Sequence, residues 1–257
     1  MAKKRIDRDK IIQAFLTCAF EKSAGAVSLA DIASLLGVNK ASLYNHFSSR
    51  DAICEAAIDF CADYMSGVRF IPESADSLVS LSFSDALAKI VKQYFRSYEI
   101  EPLFQMYAFI HSSKFFSSEA FRAAERETQK IADDTASFIA RFAAEGKLQL
   151  AKNEYGLKNV CDADAKAKAE KQPSGTPDAG SSGSVSYTLQ TAVFDTLKEK
   201  ALFFARELSA ELSAYIVEKK ETLRRNPESG AGSLFALPAD DSALARIVGR
   251  ALAYWAY

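Results

Sequence analysis

The chain has 257 residues, a formal net charge of −1, 49% apolar residues and 25% charged ones, which is room for a small domain and a larger one around apolar cores. No run of about 18 apolar residues occurs, which excludes a membrane-spanning helix. The N-terminal charges are not followed by an apolar stretch, so no secretory signal and a cytoplasmic location are expected.

Charge is unevenly spread. Residues 1–50 hold eight basic side chains (Lys3, Lys4, Arg5, Arg8, Lys10, Lys22, Lys40, Arg50) against four acidic ones, a balance of +4, so the remainder carries −5. Local positive charge of this kind favours phosphates and predicts salt-sensitive binding to a polyanion.

The first predicted helix runs from about Arg8 to Ala24, with Ile11, Ile12, Phe15, Leu16, Ala19 and Phe20 as its buried stripe. Ser28 is a good N-cap, and Asp31 three residues on completes a capping pattern. Leu29, Ile32, Ala33 and Leu36 repeat at helical spacing, and Gly37 stands where a left-handed residue commonly ends a helix. Asn39 is a second N-cap, opening a short helix of Lys40, Ala41, Ser42, Leu43, Tyr44, Asn45 and His46. Two short helices joined by a glycine turn form a helix-turn-helix, whose second helix enters a DNA major groove.

Residues 37–51, GVNKASLYNHFSSRD, closely resemble the recognition-helix signature of the tetracycline-repressor (TetR) family. The family pattern is Gly-Val-Ser, three variable or small residues, Leu-Tyr-x-His/Tyr-Phe, two residues, Lys/Arg and an acid. Here Asn39 replaces the usual serine and Arg50 the commoner lysine. The resemblance covers about residues 8–65 and implies a three-helix DNA-binding domain at 1–50. An all-helical effector-binding and dimerisation domain would follow at 51–257. It implies double-stranded DNA as partner, with Lys40 on a base or phosphate and Ala41 against a thymine methyl. Ser42 and Asn45 would reach phosphates or base edges, Tyr44 a phosphate through its hydroxyl, and His46 the same at the helix end. Arg50 would hold a phosphate beside a helix dipole, Ser28 joins the DNA-binding set, and Leu43 and Phe47 face the core.

Beyond Asp51 a helix is predicted to about Arg69, ended by Pro72, with Ile53, Ala57, Phe60, Ala62 and Tyr64 turned inward. Further helices are predicted at about 84–99, 102–112, 118–146, 188–222 and 240–256. Residues 161–186 are poor in bulky apolar side chains and read as a flexible insertion. Residues 225–240 read as a loop. Two apolar stripes, Leu197–Ala201–Phe204–Leu208–Leu212–Tyr215 and Leu244–Ile247–Val248–Ala251–Leu252–Trp255, either bury within their own domain or pair with a second copy. The homodimer is the preferred reading, and its two-fold axis would match a palindrome-like operator.

The aromatic middle of the chain would either fill a core or line a pocket for an apolar or aromatic effector. Phe104, Tyr107, His111, Phe138 and Phe142 are the candidate lining residues. The expected function is therefore a repressor released by a small molecule. The alternative is a DNA-binding regulator controlled by a protein partner or by concentration alone. Cysteines at 18, 54, 61 and 161 form no C-x-x-C pair and are expected as buried thiols. With only two histidines and no nucleophile or phosphate-loop motif, no metal, cofactor, catalytic residue or enzymatic activity is expected.

Overall fold

A computed structural model describes residues 6–72, 75–148, 182–225 and 240–256. The described residues are helical, with no strand among them. The order is α1 (Arg8–Lys22), a 3-10 turn (Ala24–Ala26), α2 (Leu29–Leu36), α3 (Lys40–Tyr44), α4 (Arg50–Ser66), α5 (Ala75–Leu78), α6 (Phe83–Ser97), α7 (Leu103–Ser113), α8 (Ser118–Ala144), α9 (Ser182–Arg225) and α10 (Asp241–Trp255). This is the all-α architecture expected, with a helix-turn-helix at its N-terminal end.

Helix starts follow side-chain oxygens that satisfy free N–H groups of the first turn. Asp7, Asn39, Ser49, Ser82, Ser117 and Asp240 each accept a bond from a backbone N–H two or three residues on. Each cap contributes about 1 kcal/mol. Ser28 and Asp31 form a reciprocal capping box at α2. Gly37 closes α2 at φ 67°, the left-handed region that a side chain would resist.

Ile11, Phe15 and Leu16 of α1, Ile32 of α2, Leu43 of α3, and Ile53 and Ala57 of α4 are buried to 1% or less and close the N-terminal core. α4 packs on α1 and also on α7 and α8, so one helix is shared between the two cores. In the larger part α8 lies along α9, α6 against α10, and α7 bridges back to α1 through Phe15–Phe109 and Phe20–Phe104 ring contacts at 5.5 and 4.9 Å.

Several expectations are corrected. α4 stops at Ser66, where Gly67 caps it, and not at Pro72. Tyr64, expected inside, is exposed. α9 begins at Ser182, so the last residues of the expected insertion are helical, while 161–181 lie outside the described residues, as do 226–239 and the basic residues Lys3, Lys4 and Arg5. The described cysteines are unpaired. Burial pushes the Cys18, Cys54 and Cys61 thiols up, Cys61 furthest, and Cys161 is not described. No helix of the described residues is long and apolar enough to cross a membrane.

Candidate nucleic-acid interface

The second helix of the helix-turn-helix is only five residues long, too short to form by itself, so its ends and its inner face hold it. Asn39 Oδ1 accepts from the Ser42 N–H and from the Ser42 hydroxyl, both at 2.9 Å. Leu43 is 1% and Phe47 5% exposed, as expected of core residues. The opposite face presents Lys40, Ala41, Tyr44 and Asn45 to solvent, with Tyr44 57% exposed. Ser42 and His46 are half-buried. Lys40 makes no ion pair with another described residue.

Two of the expected interface residues are occupied elsewhere. The Ser28 hydroxyl donates to the Asp31 carboxylate at 2.8 Å and caps α2. The Arg50 guanidinium turns inward: Nε donates to the Val27 carbonyl at 3.2 Å, Nη2 to the Ala24 carbonyl, and Nη1 pairs with Asp51 at 2.9 Å. Arg50 thus grips the segment after α1. Ser23 there stands at φ 85°, ψ 150°, a region nearly reserved for glycine.

Arg8 had been counted only as charge. Its Nη1 donates to the His46 carbonyl at 2.7 Å and its guanidinium lies 4.0 Å over the Phe47 ring, tying the start of α1 to the end of α3. Lys22 pairs with Asp31 at 2.6 Å. Those bonds, from Lys22 first and then from the Ser28 N–H and hydroxyl, hold the Asp31 carboxyl down to about 2. Lys10 pairs with Asp7 at 3.1 Å. Lys10, Lys22 and Arg50 are thus offset by carboxylates, whereas exposed Arg8, held by a neutral carbonyl and a ring, and Lys40 keep their full charge.

None of the five expected effector residues lines the cleft between α4 and α8. Phe104 meets Phe20 of α1. Phe138 and Phe142 pack on each other at 4.8 Å and on Phe83. Tyr107 stacks on His111 at 3.9 Å and donates to the Ser209 carbonyl at 2.7 Å. His111 Nε2 lies 3.0 Å from Glu127 Oε2, and Glu127 Oε1 accepts from Tyr98 at 2.7 Å and Tyr94 at 3.3 Å. Burial first, then the Glu127 charge, pushes the Tyr94 and Tyr98 hydroxyls well above their ordinary range. Glu127 also reaches a cleft of about 370 Å³ between α4 and α8, lined by Ala62, Met65 and Ser66 on one side and by Ala123, Lys130 and Asp133 on the other.

A capped short helix on a three-helix core, with a small polar face outward, defines a helix-turn-helix DNA-binding regulator. Residues 11–57 match the family model described as bacterial regulatory proteins, tetR family. The chain is 27% identical over 149 residues, 58% of its length and 75% of the relative's, to the biofilm operon icaADBC HTH-type negative transcriptional regulator IcaR of Staphylococcus aureus. A solved structure from Clostridium perfringens, provisionally described as a fatty acid metabolism regulator, superposes with a TM-score of 0.50 at 12% identity. The match covers 95% of this chain and 97% of that one, and shows a shared fold. The N-terminal segment of the chain thus matches the DNA-binding part of the tetR family of transcriptional regulators.

Proposed function

We propose that the chain is a dimeric, sequence-specific repressor that acts by binding and not by catalysis. The observation that carries this is the outward face of α3: Lys40, Ala41, Tyr44 and Asn45 exposed on a helix held from behind by Asn39, Leu43 and Phe47. Lys40 and Asn45 would read base edges, Ala41 would meet a thymine methyl, and Tyr44, Ser42 and His46 would position the helix on phosphates. Ser28 and Arg50 serve this surface by holding its frame. Repression is supported by the similarity to a negative regulator.

Dimerisation rests on a different face from the one expected. Leu197, Ala201, Phe204, Leu208, Leu212, Tyr215, Leu244, Ile247, Ala251 and Trp255 are buried within the single chain. The outer side of α9 leaves Phe203 and Val217 at 62% and 67% exposure. Ala210 and Ala214 on α9, and Ala245, Gly249 and Ala253 on α10, are exposed at helical spacing. Two copies of this pair would bury one another's stripes and set two α3 helices about 34 Å apart.

A small effector would sit in the α4–α8 cleft, because α4 both follows α3 and forms that wall. Reversing a 1:99 population needs about 5.5 kcal/mol of differential affinity. The second reading, control by a partner protein or by concentration, is favoured by the way the central aromatics fill one another's spaces.

The test is selection of genomic fragments by the purified protein, followed by gel shifts of the enriched site against random DNA at several salt concentrations. A palindrome-like site bound by a dimer in sedimentation supports the reading, and Val217→Glu should then give monomers with weakened binding. Retention of all sequences alike by a monomer refutes it.

A further inference from the structure

Two adjacent lysines near the end of α9 point to different parts of the molecule. Lys219 is 4% exposed, pairs with the Asp240 carboxylate at 3.2 Å and lies 4.9 Å from the Tyr215 ring. Asp240 is the N-cap of α10, so this contact ties the two helices of the proposed dimer face together. Lys220 turns the other way. Its ammonium donates to the Phe20 carbonyl in the last turn of α1 and sits 4.1 Å over the Phe20 ring.

That carbonyl belongs to the end of a helix, where acceptors lack intrahelical donors and a cation is favoured by the dipole. Burial, reinforced by Arg224 and opposed by Glu21, pushes the Lys220 ammonium pKa down. The placement therefore has a cost, and the bond and ring contact offset it. The next residues lead through the strained Ser23 to the carbonyls of Ala24 and Val27, which Arg50 holds from α4. The junction after α1 is thus gripped from both sides.

Between α1 and α7 there are two edge-on ring pairs and one long neutral hydrogen bond, from the Thr17 hydroxyl to Gln105 Oε1 at 3.5 Å. Apolar contact is non-directional and resists a tilt of the helix weakly, whereas a charge-assisted bond is directional and stronger than a neutral one. At the far end of α1, Arg8 is bonded to the end of α3. Phe20 and Arg8 are separated by about 18 Å of helix at 1.5 Å per residue. A tilt of about 10° pivoting at Phe20 would therefore carry the end of α3 by about 3 Å, close to the 3.4 Å step along a DNA strand.

We propose that Lys220 is a positioning residue for DNA recognition. By fastening the last turn of α1 to the helix that carries the dimer face, it sets the tilt of the helix-turn-helix and hence the half-site separation that the dimer accepts. This rests on the dimeric reading above.

The test uses the full chain as wild type, Lys220→Arg, which keeps donor and charge, and Lys220→Met, which keeps only the stem. Each is titrated against the two half-sites selected by the wild type, at the native separation, at one or two base pairs more or fewer, and against a single half-site. The wild type and Lys220→Arg should share one optimum. Lys220→Met should lose roughly 3- to 30-fold at that optimum, less at neighbouring separations and nothing on the single half-site. Its salt slope should not change, because Lys220 touches no phosphate. Equal loss on every DNA, or an unchanged spacing profile in Lys220→Met, would overturn the proposal. Should that variant fail to fold, Lys220→Gln, with a neutral donor, is read by the same comparison. A wild type with no optimum would refute the dimeric reading itself, whereas an optimum shared with Lys220→Met refutes only the role of Lys220.

Discussion

Arg50→Ala separates a phosphate contact from a structural clamp. In the structure the guanidinium donates to two backbone carbonyls, Ala24 and Val27, and pairs with Asp51 on its exposed side. A hydrogen bond to a charged donor contributes about 1.5–3 kcal/mol, and the carbonyls would be left without their partner. The side chain keeps 29% of its surface exposed, so water can replace part of what is lost. Roughly 2–3 kcal/mol of stability is then expected to disappear. Urea unfolding should show it as a lower midpoint with an unchanged slope. Lysine is a point donor that cannot span both carbonyls as the planar guanidinium does, so Arg50→Lys should fall between the two. A residue on a phosphate behaves differently: its removal lowers the slope of log affinity against log salt by about 0.9. Arg50→Ala should leave that slope unchanged. A slope reduced by about 0.9, with an unchanged urea midpoint, would return Arg50 to the DNA surface and remove the clamp.

Asn39→Ala should destabilise the short α3 by about 1 kcal/mol, while Asn39→Ser keeps an acceptor and should not; circular dichroism in urea measures the difference, and equal loss of DNA binding in both variants would make Asn39 a contact and not a cap. Ser23→Gly should raise stability by about 1 kcal/mol, because glycine adopts φ 85° without strain; an unchanged or lower urea midpoint would mean that the Ser23 conformation carries no cost. The Asp31 carboxyl is held at about 2 against an ordinary 3.8. A depressed carboxyl contributes stability that is fully present above its unfolded value and is lost as pH falls through the folded one. Acid titration should therefore weaken α2 between pH 3.8 and about 2, and Asp31→Asn should abolish that part of the titration.

What was legible in the chain was local. Ser28 with Asp31, Gly37, Asn39 and Ser49 announce helix ends through partners two to four residues away, and all five stand where that chemistry places them. Leu43 and Phe47, which the family resemblance turns toward the core, are buried. The misread ends have local causes too. Pro72 marks a stop for α4, but Gly67 ends it first. Ser, Gly and Val at 182–185 look like linker, yet they continue a helix that lies along α8. Tertiary partners were not legible. Arg8 meets His46 from 38 residues away, Arg50 meets Ala24 from 26, and Lys220 meets Phe20 from 200. No spacing rule joins a cation to a carbonyl at such separations, so the sequence offers Arg50 only the phosphate role that the family resemblance and the nearby helix dipole imply.

The aromatic residues show the same limit from the apolar side. Helical periodicity says that Phe104, Tyr107, Phe138 and Phe142 turn inward, and all are buried to 3% or less. It does not say whether a ring faces a void or another ring. Phe138 and Phe142 meet Phe83, and Phe104 meets Phe20, so those rings serve as packing. The cleft opens instead where α8 turns small and charged side chains, Ala123, Lys130 and Asp133, toward Ala62 and Ser66 of α4. Small residues leave space and charged ones keep it wet, whereas large aromatics close it. An effector site in this chain would therefore have been signalled by the small and polar positions of the shared helix α4 and its neighbour. Because α4 also buries Ile53 and Ala57 in the N-terminal core, a molecule that displaced its far end would act on the frame of α3 through one continuous helix.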